Sequence, residues 1–599
     1  MRTLTTTRLL TRTLLAALLV LGVVGCHADE NDPAGQAGEL TDAVRRENAI
    51  ANLSRMYTTA LAHANGDRTA AEPMHVADVS VQQLSQCFID HSEDVTGRTA
   101  IMALLGEMRD VRSLPALIAA LDWRPEISEE QAIGAARTIA TLNLDDGQKG
   151  QVITAIATAL GAVRQARGVD NRMRIEFLRA LGTLGDRRGT EAITHTMLLQ
   201  SENQDFLINR LACEQLGRLS DPAAVPALIQ ALYLFGANNP AMRMNDMASM
   251  ALVRIGRPAL QPLLDTLAGN NAEANQIATQ YIAAVRQRDA DAAAQMSVDS
   301  IVSGEAATAL GQLGLREAID PLIAETQKTA EGERPGAIEE NAQVEGHMMS
   351  GALGLVSINR DDSDTSRIRD AIIAVFNRLN PVSRPGHGSR QQLLIALQHF
   401  NDAGAMPFLL TVAQPLPRGT AVDSDSIARR ILAFRAYAVM ANDAEAANLE
   451  RILQAEPEGD VRDGLLDVVG DLADGSTSDS SRPMFAAAHT CNTDATCWAG
   501  KLTDSNSWVV RKACYMLARY GRGDAAAITA LVGQLGNSDE EIRGEVLYAL
   551  DFVATHGSPE AVARIDALHT AEQGRSIWAH TESLFLAVQA RLAARAAAH

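Results

Sequence analysis

The chain has 599 residues, 73 of them acidic against 53 basic, and a formal charge of -20; a surface this acidic repels phosphate backbones, which excludes nucleic acid as a partner. Hydrophobic residues reach 47% while aromatic ones stay at 4%, enough aliphatic side chains for an extended core and few rings for ligand platforms. Length alone allows about three or four globular domains, but internal repetition overrides that count, because stacked repeats grow in one dimension without separate cores.

At the N-terminus, Arg2, Arg8 and Arg12 precede an apolar run over residues 14–24 that ends in Val23-Val24-Gly25-Cys26. The run is too short to span a bilayer comfortably and has the layout of a secretory signal. A small residue directly before a cysteine resembles the lipobox of bacterial lipoproteins. That resemblance implies that residues 1–25 are removed and that Cys26 is acylated and anchors the chain to a membrane; burial stabilises by about 0.8 kcal/mol per CH2, and more than one acyl chain makes the anchorage stable. An ordinary cleaved signal with an incidental cysteine is the other reading. His27 at the second mature position resembles lipoproteins sent to the outer membrane, facing the periplasm or the cell surface. The mature chain would carry -23 over 574 residues. Residues 26–39, rich in Asp, Asn, Gly and Ala, are expected to form a flexible tether. No later segment approaches eighteen uninterrupted apolar residues, so the rest is expected to be soluble.

Residues 40–95 lack the repeat signature found further on and are predicted to form an N-terminal helical cap, with a helix over residues 40–63. Cys87 and His91 stand four apart on a predicted helix, a spacing that suits either a metal site or a buried thiol near an incidental imidazole.

Residues 96–599 carry a recurring interval. Leu105 leads to Pro115, Leu216 to Pro226, Leu252 to Pro262 and Leu397 to Pro407, all at ten residues, and Leu310 leads to Pro321 at eleven. Apolar pairs follow three of these prolines: Leu117 and Ile118, Leu228 and Ile229, Leu409 and Leu410. In the unit over residues 209–232, Leu211, Leu216 and Leu219 share a helical face, and Gly217 lets a neighbouring backbone approach. Ser220-Asp221-Pro222 breaks and recaps the chain, and Val225, Leu228, Ile229 and Leu232 face the core from a second helix. Neither helix buries its face alone, so adjacent hairpins must stack. Leu181-Gly182-Thr183-Leu184-Gly185-Asp186, Leu310-Gly311-Gln312-Leu313-Gly314 and Leu353-Gly354 are related blocks. Asp460-Val461-Arg462, Asp504 with Val510-Arg511, and Asp539 with Ile542-Arg543 open first helices in a shared manner.

These units resemble HEAT repeats, in the short form also found in phycobilisome-lyase-type proteins. The resemblance implies an all-α, right-handed α-solenoid of stacked helical hairpins whose second helices line an extended concave surface. Non-core second-helix positions such as Gln230, Asp265 and Gln534 are then expected to line one groove.

Several stretches depart from the period. A helix over residues 273–289, within an insertion at about 270–300, carries an apolar stripe of Ile277, Tyr281 and Val285, which is either a binding face or a face packed back on the rod. Irregular loops are predicted at about 412–426 and 474–506. Met242, Met244, Met247 and Met250 fall within nine residues, a set of thioethers suited to copper(I) or a packing stripe. Cys491 and Cys497 flank a polar, turn-like stretch and are expected to form a disulfide in an oxidising compartment; zinc would need two further ligands nearby. Cys213 and Cys514 each precede a repeat leucine by three and are read as core thiols. Gly386-His387-Gly388-Ser389 puts a histidine near a serine with nothing to orient the pair, and reads as a linker. Of the four tryptophans, Trp498, Trp508 and Trp578 lie late in the chain, Trp123 early; aromatic platforms, if any, are C-terminal.

The nucleophile elbow, the paired zinc histidines, the phosphate loop and the haem motif are all missing from the sequence, so no catalytic residue and no cofactor is expected. The favoured reading is an exported, membrane-anchored scaffold that docks a protein or peptide partner in the cell envelope. The alternative is a lyase-like or metal- or ligand-binding protein with a site in the groove, weakened by the export signal, since phycobilin lyases act on an intracellular pigment-protein.

Overall fold

The computed structural model describes residues 28–122, 129–163, 168–199, 205–236, 238–329, 341–358, 362–379, 388–417, 420, 423–457, 459–469, 483–571 and 582–598. Cys26, Trp123, Trp578 and His387 lie outside these residues. The chain forms two compact units, Met1–Ala192 and Ile193–His599.

Helical hairpins build both units, and the joint within a hairpin explains the ten-residue interval. Val95–Met108 ends at Arg109, whose φ of 51° is left-handed. Asp110 then accepts a hydrogen bond from the backbone N–H of Arg112, a single 3-10 turn Val111–Ser113 follows, and Leu114–Leu121 starts with Pro115 in its first turn. Asp221 after Ser220 (φ 48°) and Asp402 after Asn401 (φ 51°) repeat this joint, and Asp186 after Gly185 caps an equivalent 3-10 turn. In these joints the leucine, the left-handed residue and the capping Asp stand at fixed intervals, and the Asp carboxylate accepts from a backbone N–H of the 3-10 turn that would otherwise be orphaned.

The arginine early in several first helices has an equally local role. Arg46 Nε donates to Leu40 O at 3.0 Å, Arg98 to Ser92 O at 3.5 Å, and Arg543 to Asn537 O at 2.7 Å. Each is buried, and each ties its helix to the turn before it.

In the first unit the cap contains helices Arg46–His63 and Ala71–Asp90. The predicted helix over 40–63 therefore begins six residues later, after a turn held by the Asp42 carbonyl. The expected tether is also corrected: Pro33–Glu39 is a helix capped by Asp32, and its Gln36 and Ala37 are buried with the following Leu40. Gln36 Nε2 donates to the carbonyls of Ala28 and Asp29, and Asn52 donates to Gln36 Oε1. An Asp-Pro start and an apolar Ala37/Leu40 face outweigh the loop-like composition.

In the second unit the first helices pack side by side. Asn245–Ile255 meets Val298–Leu313, followed in turn by Ala342–Val356, Ser389–Phe400, Ser424–Met440, Ser507–Tyr520 and Glu540–Val553. The terminal helix Glu582–Ala598 packs on Glu540–Val553 and also on Asn245–Ile255, closing the series into a ring. Close approach is built in: a Cβ added at Gly311 would lie 2.5 Å from the Gly354 carbonyl oxygen, and one at Gly217 would lie 3.0 Å from Ala251 Cα.

The insertion packs back on this layer. Its helix is Ala272–Arg286, capped by Asn271, and the buried line is Ala274, Ala278 and Ile282. Ile277, Tyr281 and Val285 are only half-buried. The Tyr281 ring meets Phe235 edge-on, with centroids 5.4 Å apart. Phe235 belongs to a two-stranded antiparallel ribbon, Phe235–Gly236 with Asn239–Arg243, which the helical period gave no reason to expect. The described residues between Ala413 and Ser424 carry no helix, and they fall within the predicted 412–426 segment. Of the loop predicted at about 474–506, residues 474–482 lie outside the described residues, and 483–506 contain helices Pro483–Cys491 and Ala495–Lys501, the second capped by Asp494. Among the described residues no helix is long and apolar enough to cross a membrane.

Candidate functional site

Inside the ring, polar side chains from several helices face one another. Gln398 Nε2 donates to Tyr515 Oη at 2.7 Å and to Glu545 Oε1 at 3.3 Å, so three helices are joined by one amide. His399 stacks on Tyr548 with centroids 4.0 Å apart. Arg591 donates to Asp551 Oδ2 at 3.0 and 2.6 Å and to the Gln312 carbonyl at 2.9 Å. Arg595 pairs with the other Asp551 oxygen and donates to the Asp551 and Ala554 carbonyls. Arg519 is held by Glu445 Oε2 and the Met440 carbonyl, both at 3.1 Å.

Desolvation dominates the electrostatics of this interior. Burial, with Arg435 adding to it, lowers the His399 imidazole to about 3, so the ring is neutral at physiological pH. Burial pushes the Glu545 carboxyl up to about 7, against the opposing pull of its Tyr515 hydrogen bond and of Arg435 and Arg511. Tyr548 is raised to about 12 by burial and then by Glu545. Burial also works to raise Asp551, but Arg591 and Arg595 together hold it below the usual carboxylate range.

Two adjoining cavities open here. One, of about 570 Å3, is flanked by Arg519, Arg522, Arg591 and Arg595 together with Asp402 and Asp551. The other, of about 640 Å3, is flanked by Gln312, Gln398, Arg435 and the acidic Glu540, Glu541 and Glu545. His399, Tyr548 and Arg591 line both.

The residues singled out in the sequence fall elsewhere. Gln230, Asp265 and Gln534 sit on or beside the surface of three second helices, Val225–Ala231, Leu260–Leu267 and Ala525–Gln534, and none lines either cavity. Asp265 accepts from Gln261 at 2.9 Å, and Gln534 accepts from Asn537 at 2.9 Å. In this unit the first helices turn polar positions inward and line the cavities, while these three residues stay on the second-helix layer.

The methionines do not share an environment. Met244 and Met250 are core residues, Met247 is half-buried, and Met242 stands 39% exposed on the ribbon strand. Cys87 Sγ donates to the Leu40 carbonyl at 3.6 Å, and burial raises its thiol. His91 is the residue that ends the helix, with Nδ1 turned to Glu93 at 3.4 Å. Among the described residues, no group of three or more His, Cys, Asp or Glu is arranged to hold a metal ion.

Cys491 and Cys497 are joined by a disulfide with Cα atoms 5.2 Å apart. Beside it Trp498 is fully buried, its indole N–H donating to the Asn492 carbonyl at 2.8 Å. Trp508 lies under the guanidinium groups of Arg435 and Arg511, at 5.2 and 5.0 Å. Neither is an open platform. Cys213 and Cys514 are buried, and desolvation raises both thiols.

Sequence reasoning missed His399, Tyr515, Glu545, Tyr548 and Arg591. The available signal was periodic: Glu545 and Tyr548, like Arg591 and Arg595, recur at three or four residues on one helical face. That spacing also describes a solvated surface, and only ring closure makes it an interior.

Residues 98–122, 212–233 and 304–325 match the model of the PBS lyase HEAT-like repeat. Each segment spans one of the leucine-to-proline intervals. No curated protein matches the sequence. Among solved structures, the Kap95:Nup1 complex aligns at 14% identity and a TM-score of 0.36 over 94% of this chain and 79% of that one. An engineered protein aligns at 14% identity and 0.26, over 88% and 99%. A structure from work on a phosphorylation switch between cadherin and beta-catenin aligns at 12% and 0.29, over 94% and 93%. At these values the likeness carries no argument about function.

Proposed function

We propose that this chain, which carries HEAT-like repeats of the PBS lyase type, is an exported protein anchored to a membrane through Cys26 that docks a protein or peptide partner in the cell envelope. The observation that carries the reading is the hairpin joint repeated at Asp110, Asp221 and Asp402, with its 3-10 turn again at Asp186. One joint used repeatedly presents second helices in series, the arrangement by which repeat proteins build extended binding surfaces. Gln230, Asp265 and Gln534 belong to that second-helix layer, and their polar side chains suit a reversible protein contact. The arginine, apolar and cysteine succession at the N-terminus supports the envelope setting, and His27 favours the outer membrane.

Crosslinking in living cells, detergent extraction and identification of co-purifying proteins test this reading, with Cys26→Ala as the unanchored control. A discrete partner near one-to-one, reduced in the control, is the expected result. Equal recovery of no specific protein from both would contradict it.

A further inference from the structure

We propose that the arginine-flanked cavity of the second unit binds a small oxyanionic ligand, a carboxylate- or phosphate-bearing molecule whose charged end sits among Arg519, Arg522, Arg591 and Arg595. This goes beyond the docking of a protein partner and stands independently of it.

The first support is a local inversion of charge. In a chain of formal charge -20, this cavity sets four arginines against two aspartates. The groups that hold its rim from outside leave the arginines in excess: Glu445 pairs with Arg519, while Arg369 bridges Asp370 at 2.9 Å and Asp402 at 3.0 Å. Low-dielectric walls around an excess of one sign of charge focus the field on a ligand of the other sign.

The second support is preorganisation. Arg591 and Arg595 are four apart on the terminal helix and share a face, while Arg519 on Ser507–Tyr520 and Arg522 just past its end line the same cavity. Asp551 and the Gln312 carbonyl orient Arg591, and the Ala554 carbonyl orients Arg595. Guanidinium groups fixed in this way present their remaining N–H donors to a carboxylate or phosphate with little side-chain entropy left to lose.

The third support is size and wall chemistry. A volume of about 570 Å3 admits a metabolite-sized molecule and excludes a folded domain. The neutral His399 ring stacked on Tyr548 offers hydrogen-bonding and flat apolar surface to the uncharged part of the ligand. The field of Arg435, which helps keep that ring neutral, has the same sign as the cluster.

The test is calorimetric titration of the full chain in detergent with two probes, pyrophosphate and tricarballylate, at ionic strength held constant with chloride. Saturable one-to-one binding of at least one probe is expected, and the preferred probe tells phosphate from carboxylate. Arg522→Gln, at the exposed mouth, should weaken binding about tenfold or more, since it removes a charge-assisted contact. Arg519→Gln gives a second reading from a different guanidinium. Arg257→Gln, which lies 67% exposed in an ion pair with Glu317 and lines neither cavity, should leave affinity unchanged. Failure of both probes to saturate overturns the proposal, as does equal weakening by Arg522→Gln and Arg257→Gln, which would mark diffuse charge attraction. Partner capture by Arg522→Gln protein reads the docking function separately.

Discussion

The hairpin of Phe206–Leu219 and the helix Glu540–Val553 use one backbone plan and fill it oppositely. In the first, Ala212, Cys213, Leu216 and Leu219 are buried and a neighbouring helix backbone approaches Gly217. In the second, Val546, Leu547, Leu550 and Val553 are buried in the usual way, but Glu545, Tyr548 and Asp551 turn toward the centre of the ring. The repeat needs only the apolar pattern in order to stack. A polar interior requires partners from distant helices, so it exists only where the array closes.

Replacing an apolar contact should therefore damage the fold, and replacing a central polar one should change its response to pH. Leu216→Asp would bury an unpaired charge at a position with no exposure, and is expected to cost about 4 kcal/mol or more and to abolish the cooperative melt of the second unit. An unchanged melting profile would refute the register of this hairpin. Gly354→Val tests one of the close approaches in the layer, since a Cβ at Gly354 would lie 2.7 Å from the Ala307 carbonyl oxygen. A loss of about 2 to 3 kcal/mol is expected in denaturant unfolding.

Glu545→Gln sharpens the other side of the comparison. The carboxyl rises from 4.5 to about 7 on folding because it is buried, so between these values the folded state holds more protons than the unfolded one. Its contribution is fully present below pH 4.5 and is lost as pH rises toward 7. The variant should flatten that part of the stability profile, by up to about 3 kcal/mol, in unfolding curves at pH 4.5 and 8. Parallel profiles for the two proteins would show that Glu545 ionises as freely in the fold as outside it. The smallest effect is expected at Arg109, an exposed, left-handed residue: Arg109→Gly relieves a strained φ and should raise stability by about 1 kcal/mol or less.

The joint was legible because it is local. Leu216, Ser220, Asp221 and Pro226 all act within one turn of chain, so their spacing survives in the sequence. Residues 33–39 were misread because Asp, Asn, Gly and Ala also compose loops, and the decisive contacts of Gln36 with Ala28 and Asn52 leave no periodic trace. The disulfide pair Cys491 and Cys497 was visible by proximity, while the short helices on either side were too brief for a helical period to show. The central site was illegible for the opposite reason to the joint. Arg591 reaches the Gln312 carbonyl across 279 positions, and no interval within a repeat encodes that distance.

Ring closure of the second unit underlies both cavities, and a crosslink tests it most directly. Gln312→Cys combined with Arg591→Cys, treated with a short bismaleimide and mapped by peptide mass, should yield an intramolecular bridge between residues 312 and 591 in the folded protein. Recovery of both positions unbridged, with the helical content intact, would mean that the hairpins form an open rod and that the arginine-flanked cavity does not exist.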